Sequence, residues 1–339
     1  MQTPDIKWET LPFGYVPTDY NVRCTYKDGK WGEIEVSDSE YVPLHIAATC
    51  LHYGQESFEG LKAFRGKDGK VRVFRMEENA RRFIKSAEGI CMQPMPEELF
   101  CEMVRKVVKL NERFVPPYGT GASLYLRPVM FGTTVGLGVK PAKEALLIVY
   151  CSPVGAYFKS GIKPIRVAID REQDRAAPRG TGDVKVGGNY AASLLSGEKG
   201  HEMGYSNIMY LDAAEHKYIE ECGAANFFGI KDGKYITPKS PSVLPSITNM
   251  SLRQIARDMG LTVEERHIPV EELDSFEECG ACGTAAVISP IGYIYDMQTE
   301  KSYNYGEEVG KNCMELYTRL QDIQYGRAED KYNWCTIVL

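Results

Sequence analysis

Apolar residues recur about every three to four positions in four stretches of the chain, a spacing typical of amphipathic helices. In one stretch Leu99, Phe100 and Met103 form the buried stripe, and Pro96 can open the helix. Gly260 is expected to end another helix. The helices predicted in this way span 77–90, 96–113, 247–259 and about 306–321.

Shorter runs of apolar and β-branched residues predict strands. Residues 145–150 are apolar throughout, so this strand should be buried on both faces. The predicted strands span 122–130, 145–151, 165–169, 206–211, 225–230, 261–267 and 284–289. Because helices and strands follow one another irregularly, we predict an α+β, or mixed α/β, fold.

A four-residue sequence, Lys-Asp-Gly-Lys, occurs at 27–30, 67–70 and 231–234. Asp-Gly between two short strands is a strong signal for a β-hairpin. We therefore predict three hairpins, and turn chemistry explains their similarity without an internal repeat.

The chain length favours two domains. Its 339 residues exceed what one compact core normally contains, and 43% hydrophobic with 25% charged residues is ordinary for a globular protein. Pro, Gly and Ser concentrate just after the predicted strand 145–151, as they do in connecting segments. We predict a smaller N-terminal domain over 1–151, a linker over 152–163 and a larger domain over 164–339.

Charge and hydropathy exclude several classes of function. The net charge of −6, with lysines mixed among acidic residues, does not suit nucleic acid or an anionic membrane. No apolar run approaches the ~20 residues of a membrane span, and the N-terminus lacks the apolar core of a signal peptide. We expect a cytoplasmic protein.

Ten cysteines are scattered along the chain and fit reduced, buried thiols rather than a disulfide framework. Cys279 and Cys282 form a lone Cys-x-x-Cys, which is either a redox pair or incidental. The five histidines are dispersed, so no metal site is predicted.

One strand face could bind a carboxylate. Tyr125 and Arg127 lie two residues apart in the predicted strand 122–130 and so share a face, whereas Leu124 and Leu126 point to the other. An arginine beside a tyrosine can bind a carboxylate through two hydrogen bonds. The alternative is an exposed strand face with an ion pair.

A glycine-rich segment surrounds Lys185, in Gly180-Thr-Gly-Asp-Val-Lys185-Val-Gly-Gly-Asn-Tyr190. A flat, bulky cofactor could reach a lysine flanked by small residues, and Glu221, just ahead of a strand, could keep a ring nitrogen protonated. These are the two protein groups that a pyridoxal-phosphate enzyme needs most. The alternative is a lysine in a surface loop.

Three elements could bind a phosphate. The first turn of the helix predicted over 247–259 offers unpaired N–H groups and a hydroxyl to an anion. Ser246 or Thr248 could instead be an ordinary N-cap. Residues 282–286 offer further amides and a hydroxyl, and Arg82 is either a cation for the phosphate or a solvated side chain.

Together these fragments resemble the branched-chain amino-acid aminotransferases, pyridoxal-phosphate enzymes of fold type IV. The resemblance covers nearly the whole chain and is closest to the longer branch of animals and many bacteria. It implies a smaller N-terminal α/β domain and a larger cofactor-binding domain with a β-barrel-like core. The motifs are Phe13-Gly14, His52-Tyr53, Ser57-Phe58-Glu-Gly-Leu-Lys-Ala-Phe64, Arg127-Pro128, Ser152-Pro-Val-Gly-Ala-Tyr-Phe158, Lys185-Val-Gly-Gly-Asn-Tyr190 and Asp322-Ile-Gln-Tyr-Gly326.

The resemblance implies a site for pyridoxal 5′-phosphate. Lys185 matches the Schiff-base lysine, which also moves the proton. Glu221 matches the carboxylate that pairs with the pyridine nitrogen, and Tyr190 the tyrosine bonded to the phenolate oxygen. The residues implied near the phosphate are Arg82, Arg175, Ile247, Thr248 and Thr284. The residues implied in the substrate pocket are Phe13, Tyr53, Phe58, Tyr125, Arg127, Tyr157 and Ala285.

The implied reaction moves the amino group of L-leucine, L-isoleucine or L-valine to 2-oxoglutarate, giving a branched 2-oxo acid and L-glutamate. Aromatic side chains suit the aliphatic substrate and Arg127 suits the acidic one. The resemblance also implies a homodimer and a place in branched-chain amino-acid biosynthesis or degradation.

The sequence departs from the animal pattern at several positions. Ala224 stands where threonine is usual, Ser246 where glycine is usual, and Asn249 where arginine is usual. The two cysteines of the animal redox motif are replaced by Ala286 and Ser289, so thiol regulation is not implied.

Two kinds of alternative remain open. D-amino-acid aminotransferases and aminodeoxychorismate lyases share this fold, and fold alone does not decide chemistry. Tyr125 and Arg127, with Gly283-Thr-Ala285, favour the branched-chain interpretation. The second alternative is a pseudo-enzyme that binds a partner or metabolite without turnover. The joint presence of four cofactor residues argues against it: Lys185, Glu221, Tyr190 and Arg82.

Overall fold

The computed structural model describes residues 5–158 and 161–339, which divide into two units. The first unit comprises 5–158, Val184–Gly187 and Asp322–Leu339, and the second comprises 161–183 and 188–321. The short segment 184–187 belongs to the first unit, although the chain on both sides of it belongs to the second. The predicted domain limits stay a prediction, and residues 159 and 160 of the predicted linker lie outside the described residues.

Strands and helices have the following bounds. The strands are β1 Asn21–Lys27, β2 Lys30–Trp31, β3 Glu35–Ser37, β4 Glu56–Phe58, β5 Leu61–Arg65, β6 Val71–Phe74, β7 Ser123–Gly132, β8 Ala145–Val154, β9 Ile165–Ile169, β10 Asn207–Leu211, β11 Ile219–Cys222, β12 Ala225–Lys231, β13 Lys234–Pro238, β14 Thr262–Arg266, β15 Glu278–Gly283, β16 Val287–Asp296, β17 Ser302–Asn304 and β18 Cys335–Ile337. The helices are α1 Thr49–Tyr53, α2 Met76–Gly89, α3 Glu97–Leu110, α4 Gly187–Ala191, α5 Leu194–Glu202, α6 Ile247–Asp258 and α7 Lys311–Gln324.

The first unit contains a 9-stranded sheet in the order β18-β6-β5-β7-β8-β1-β2, with β3 beside β1 and β4 beside β7. In β7, Leu124 and Leu126 are buried on one face. Tyr125 and Arg127 are partly exposed on the other face. The predicted division of these four side chains between two faces is confirmed.

Two helices complete the core of the first unit. Phe83 of α2 and Phe100 and Met103 of α3 lie in one buried cluster with Leu124 of the sheet. The rings of Phe83 and Phe100 are 5.6 Å apart. The apolar spacing had predicted both stripes, and Pro96 is the N-cap of α3.

The second unit contains a closed barrel. Its 9-stranded sheet follows the order β11-β10-β9-β16-β15-β12, and a further pairing of β11 with β12 closes the ring. β13 and β14 extend the sheet beyond β12, and β17 pairs with β16. Val167, Met209, Phe227 and Ile291 belong to the buried cluster of this unit. The barrel-like core expected from the resemblance is confirmed.

The three Lys-Asp-Gly-Lys turns each join antiparallel strands, as predicted. They connect β1 to β2, β5 to β6 and β12 to β13. In the first, Asp28 and Gly29 have φ of 53° and 81°, and in the third Asp232 and Gly233 have φ of 48° and 68°. Left-handed φ at both central positions is typical of the type I′ turn that Asp-Gly favours.

The strand predicted over 284–289 is wrong in its limits. β15 ends at Gly283, β16 begins at Val287, and these two residues face each other in the register. Residues 284–286 form the turn between them. The apolar run therefore contains a chain reversal that its hydrophobicity does not reveal.

Some elements escaped prediction because of glycine. α4 and α5 contain glycines, which lower helix propensity. β15 contains Gly280, where a Cβ atom would lie 2.5 Å from Cζ of Phe228 on the neighbouring strand. The helix predicted over about 306–321 is observed as α7, which begins at Lys311 and ends at Gln324. It does not begin at Gly306, because the φ of 97° at Gly306 does not occur in a right-handed helix. Among the described residues, no helix is long and apolar enough to cross a membrane.

Candidate active site

Three hydrogen bonds fix the main chain around Lys185 within the first unit. The Lys185 amide donates to Ser86 Oγ over 2.8 Å, and the Phe58 amide donates to the Lys185 carbonyl over 3.1 Å. The Gly187 amide donates to the Glu56 carboxylate. Lys185 is therefore not part of a free surface loop, and its side chain starts from a fixed point between β4 and α2.

The glycine at position 187 has a specific cause. A Cβ atom there would lie 1.9 Å from Oε1 of Glu56, so any larger residue would displace the carboxylate from the Gly187 amide. The sequence had suggested cofactor access as the reason for the glycines. At Gly187 the structure supplies another reason, which is the anchoring of the lysine segment.

The side chains of Arg127 and Lys185 lie over one aromatic ring of the first unit. The Arg127 guanidinium is 4.8 Å and Lys185 Nζ is 4.6 Å from the centre of the Phe58 ring. Arg127 Nη2 donates to the Tyr125 hydroxyl over 3.1 Å, and the Phe13 ring lies edge-on to Tyr125 at 5.4 Å. The first unit thus connects Lys185 to four residues predicted for the substrate pocket.

Two other predicted pocket residues have different neighbours. The Tyr53 hydroxyl donates to the Leu137 carbonyl, and the Tyr157 ring lies 5.0 Å from that of Phe158. Both tyrosines are about half exposed. Their assignment to the pocket stays a prediction.

Arg82 is buried against a carboxylate that sequence reasoning missed. Its Nε and Nη2 donate to the two oxygens of Glu59 over 2.7 Å and 2.9 Å. Asn79 and the Gly60 amide also donate to Glu59, which is fully buried. Although burial alone would raise the pKa of Glu59, Arg82 and the other partners hold that pKa below its ordinary value. Arg82 is therefore not a solvated arginine.

Lys62 is a second charged side chain that the sequence analysis did not assign. It faces Tyr125 across the β5–β7 register, so the two side chains share a face of the sheet. Burial lowers the pKa of Lys62 to about 8. A lone apolar-flanked lysine in a strand gave no signal for this, because the cause is the packing around it.

In the second unit, Glu221 is buried among donors. Its Oε1 accepts from the Leu244 amide over 2.7 Å and from Asn226 Nδ2 over 3.2 Å. Its Oε2 lies 3.3 Å from Nε of Arg175, and both side chains are almost fully buried. An anion fits this environment because every polar neighbour named here is a donor or a cation.

Arg175 was predicted beside the cofactor phosphate. The structure places its guanidinium on Glu221, and Nη2 also donates to the carbonyls of Gly182, over 3.2 Å, and Ser242. Its observed partners are thus one carboxylate and two main-chain carbonyls.

The first turn of α6 is built as an N-terminus with a capping serine. Ser246 Oγ accepts from the Asn249 amide over 3.2 Å, so Ser246 is the N-cap that the sequence had left as one alternative. Ile247 and Thr248 are buried in the turn that follows. The free N–H groups of such a turn favour an anion.

The remaining predicted residues lie in short connecting elements. Tyr190 lies in α4, and Thr284 and Ala285 lie in the turn between β15 and β16. Val287, just after this turn, has a φ of 67°, which is strained for a β-branched residue. Strained main chain of this kind often accompanies functional sites.

Comparison with known proteins decides the family. The model of the class IV aminotransferases matches residues 56–294. The chain is 47% identical to the branched-chain-amino-acid aminotransferase of Haemophilus influenzae, over 97% of this chain and 98% of the relative. It is 48% identical to that of Helicobacter pylori, over 97% of each chain. This chain belongs to the branched-chain amino-acid aminotransferases of class IV.

Solved structures of such aminotransferases have the same fold. The Escherichia coli branched-chain amino acid aminotransferase is 27% identical, with a TM-score of 0.77 over 95% of this chain and 99% of that one. The enzyme of Thermoproteus uzoniensis with norvaline is 25% identical, with a TM-score of 0.77 over 94% of this chain and 100% of that one.

Seven of the ten cysteines of this aminotransferase are buried, as expected, but Cys91 is exposed and Cys50 and Cys335 are partly exposed. Cys279 and Cys282 are free thiols, and burial raises the pKa of both, that of Cys282 to about 12. Because the thiolate is the reactive form, their environment disfavours a redox role. Among the described residues, no cluster of His, Cys, Asp or Glu side chains could hold a metal ion.

The buried Lys62 should make stability depend on pH. Its pKa is about 8 in the folded state against an ordinary 10.5, so between these values the unfolded chain binds the additional proton. The contribution of Lys62 to the free energy of unfolding should therefore rise with pH across this window, by on the order of 3 kcal/mol. Urea unfolding from pH 7 to 11 should show this rise as the difference between the wild type and Lys62→Met, in which the other titrating groups cancel.

The exposed Lys70 provides the control for this measurement. Lys70→Met should keep the pH slope of the wild type. Equal slopes in the wild type and Lys62→Met would contradict the lowered pKa.

Proposed function

We propose that Lys185, Glu221 and Arg127 carry out the transamination that defines this family. The amino group of L-leucine, L-isoleucine or L-valine is removed and delivered to 2-oxoglutarate, which gives a branched 2-oxo acid and L-glutamate. One observation carries the proposal: Lys185, fixed by its main chain, and Arg127 lie over the same Phe58 ring, within 4.6 Å and 4.8 Å of its centre.

The described side chains fit pyridoxal 5′-phosphate group by group. Lys185 Nζ is a primary amine suited to the carbonyl carbon of the cofactor. Glu221, which accepts hydrogen bonds from Leu244 and Asn226 and lies beside the Arg175 guanidinium, suits a protonated ring nitrogen. Arg82 and the first turn of α6 suit a phosphate. Pyridoxal phosphate, when bound, accepts the electron pair that remains at the substrate Cα after its proton leaves.

The remaining cofactor residues are proposed from the family resemblance. Tyr190 bonds the phenolate oxygen, and Thr248 and Thr284 contribute hydroxyls and amides to the phosphate. Arg175 acts differently from the expectation: we propose that it supports the charge of Glu221, since its guanidinium lies 3.3 Å from that carboxylate. Ile247 contributes its main chain at the start of α6.

Lys185 moves the proton. With the cofactor bound, its Nζ would remove the proton from Cα of the amino acid as a general base and would deliver it to C4′ of the cofactor as a general acid. The hydrogen bonds of the Lys185 main chain with Ser86 and Phe58 fix its Cα and so restrict the positions that Nζ can reach. A fixed starting point of this kind raises the fraction of time that a catalytic group spends in the reactive geometry.

One face of the first sheet serves two kinds of substrate. The rings of Phe13, Phe58 and Tyr125 offer apolar walls for a branched side chain. Arg127, hydrogen-bonded to the Tyr125 hydroxyl, offers a guanidinium to the side-chain carboxylate of glutamate or 2-oxoglutarate. Norvaline, named with the Thermoproteus uzoniensis relative, supports an apolar pocket for an unbranched aliphatic side chain as well.

Assembly and location complete the proposal. We propose a homodimer and a cytoplasmic enzyme that binds amino acids and 2-oxo acids and neither nucleic acid nor membrane. Relatives in Arabidopsis thaliana and Humulus lupulus are named chloroplastic.

Replacing Lys185 should remove turnover without removing the fold. Lys185→Ala loses the amine that holds the cofactor and moves the proton. The transamination rate should therefore fall by ~10²-fold or more, while some cofactor stays bound noncovalently. The assay is transamination with 2-oxoglutarate against a panel of L- and D-amino acids, and absorbance of the dialysed protein reports retained cofactor.

Lys199→Ala, which changes an exposed lysine paired with Glu172, is the matched control and should keep full activity. Full activity in Lys185→Ala would contradict the proposed catalytic role of Lys185. Preferential use of D-amino acids by the wild type would favour the related D-specific enzymes, and no turnover of any substrate would favour a pseudo-enzyme.

Replacing Arg127 should separate the two substrates. Only the acidic substrate offers Arg127 a side-chain carboxylate, so Arg127→Gln should impair the glutamate half-reaction more than the leucine half-reaction. Loss of a charged hydrogen bond costs ~1.5–3 kcal/mol, which shifts the preference by roughly 10- to 150-fold. The measurement is kcat/KM for each half-reaction in isolation.

Arg127→Lys keeps the charge and loses the planar pair of donors, so its preference should lie between those of the wild type and Arg127→Gln. Equal losses for leucine and glutamate in Arg127→Gln would mean that Arg127 orients the pocket instead of binding the side-chain carboxylate.

A further inference from the structure

Asn249 is a buried residue of α6 whose side chain makes hydrogen bonds to residues of the neighbouring strands. Its amide donates to the N-cap Ser246, but its side chain leaves the helix and makes three hydrogen bonds. Oδ1 accepts from the Tyr235 hydroxyl over 2.8 Å, and Nδ2 donates to Thr237 Oγ1 over 2.9 Å and to Asn226 Oδ1 over 3.1 Å.

The orientation of the Asn249 amide follows from its neighbours. The Thr237 hydroxyl donates its only proton to the Phe227 carbonyl over 2.7 Å, so it must accept from Asn249. The NH₂ group of Asn249 therefore faces Thr237, and its oxygen faces the Tyr235 hydroxyl, which donates. A reversed amide would set its oxygen against Thr237 Oγ1, which has no proton left to donate to it.

The orientation of the Asn226 amide is fixed on both sides. Because its Oδ1 accepts from Asn249, its NH₂ group points the other way, to Glu221 Oε1 over 3.2 Å and to the Leu244 carbonyl over 3.1 Å. Hydrogen bonds thus run in one direction, from the Tyr235 hydroxyl through Asn249 and Asn226, and end on the carboxylate.

We propose that Asn249 is a positioning residue for Glu221, which it holds, through Asn226, in place for the ring nitrogen of the cofactor. This inference rests on the proposed role of Glu221. Without Asn249, Asn226 Oδ1 loses its donor, and only the bonds from Nδ2 to Glu221 Oε1 and to the Leu244 carbonyl hold the amide in place. A donor that is held less firmly restrains the carboxylate less, so Glu221 should spend less time in the position that pairs with the ring nitrogen.

The test compares two cofactors on the apoenzyme. One is pyridoxal 5′-phosphate, and the other is its 1-deaza analogue, in which CH replaces the ring nitrogen and nothing can pair with Glu221. The dissociation constants of both are measured by equilibrium titration for the wild type, Asn249→Ala, Asn226→Ala and Glu221→Gln. The readout is the ratio of the two constants, which a general loss of packing would not change.

Asn249→Ala should weaken binding of pyridoxal phosphate by about three- to tenfold, the usual effect of one hydrogen bond, and leave the deaza analogue within about twofold. Asn226→Ala should have the same selective effect, and the double variant should lose no more than Asn226→Ala alone. Equal losses for both cofactors, or additive losses in the double variant, would overturn the inference.

Two further variants keep the result decisive. Asn312→Ala removes another side-chain amide bonded to a carboxylate, that of Glu278 at the far end of β15, and should change neither constant. If Asn249→Ala does not fold, Tyr235→Phe loses only the hydroxyl while its ring stays stacked on Phe228 at 4.9 Å, and it should shift the ratio in the same direction. An unchanged ratio in Tyr235→Phe would then reject the inference.

Glu221→Gln separates this inference from the proposed function. If Glu221→Gln leaves the ratio unchanged, Glu221 is not the partner of the ring nitrogen and both proposals are wrong. If Glu221→Gln shifts the ratio and Asn249→Ala does not, only the role of Asn249 is wrong.

Discussion

The buried negative charge of Glu221 is the constraint on which the second unit depends. An ionised carboxylate away from water is costly unless donors replace its hydration. Two segments supply donors, the Leu244 amide ahead of α6 and the Asn226 side chain in β12. The Arg175 guanidinium, before the glycine-rich segment, adds an opposite charge 3.3 Å away. The Glu221 carboxylate thus contacts the start of α6, the barrel strand β12 and the segment that carries Arg175. We conclude that fold and proposed chemistry share the same interaction.

The first unit follows the same rule with a different pair. Glu59 is fully buried, and Arg82, 23 residues further along the chain, meets it with two parallel hydrogen bonds. A guanidinium held in this way has a fixed plane, which suits the directional recognition of a phosphate better than a mobile side chain does. The fixed main chain of Lys185 belongs to this unit as well. Both units therefore hold their proposed cofactor-binding groups on buried, hydrogen-bonded supports.

Sequence reasoning succeeded where the signal is local. The alternation of Leu124 and Leu126 with Tyr125 and Arg127, the Asp-Gly hairpins and the apolar stripes of α2 and α3 all depend on residues close together in the chain. It failed where the cause is tertiary. Nothing local indicates that Glu59 meets Arg82 or that Lys62 is buried. The sequence showed only that Asn249 is an unusual residue at its position. Its hydrogen-bond partners lie in β12 and β13, and the carboxylate that it is proposed to position lies in β11.

Glu221 is proposed to hold the ring nitrogen of the cofactor protonated, which makes the proton at the substrate Cα easier to remove. The most direct measurement is the single-turnover rate of the holoenzyme with L-leucine in the wild type and in Glu221→Gln, followed by absorbance. A neutral amide keeps the shape of the side chain and cannot stabilise that proton. We predict a rate lower by ~10²–10³-fold with the fold intact. An unchanged rate would mean that Glu221 is not the partner of the ring nitrogen.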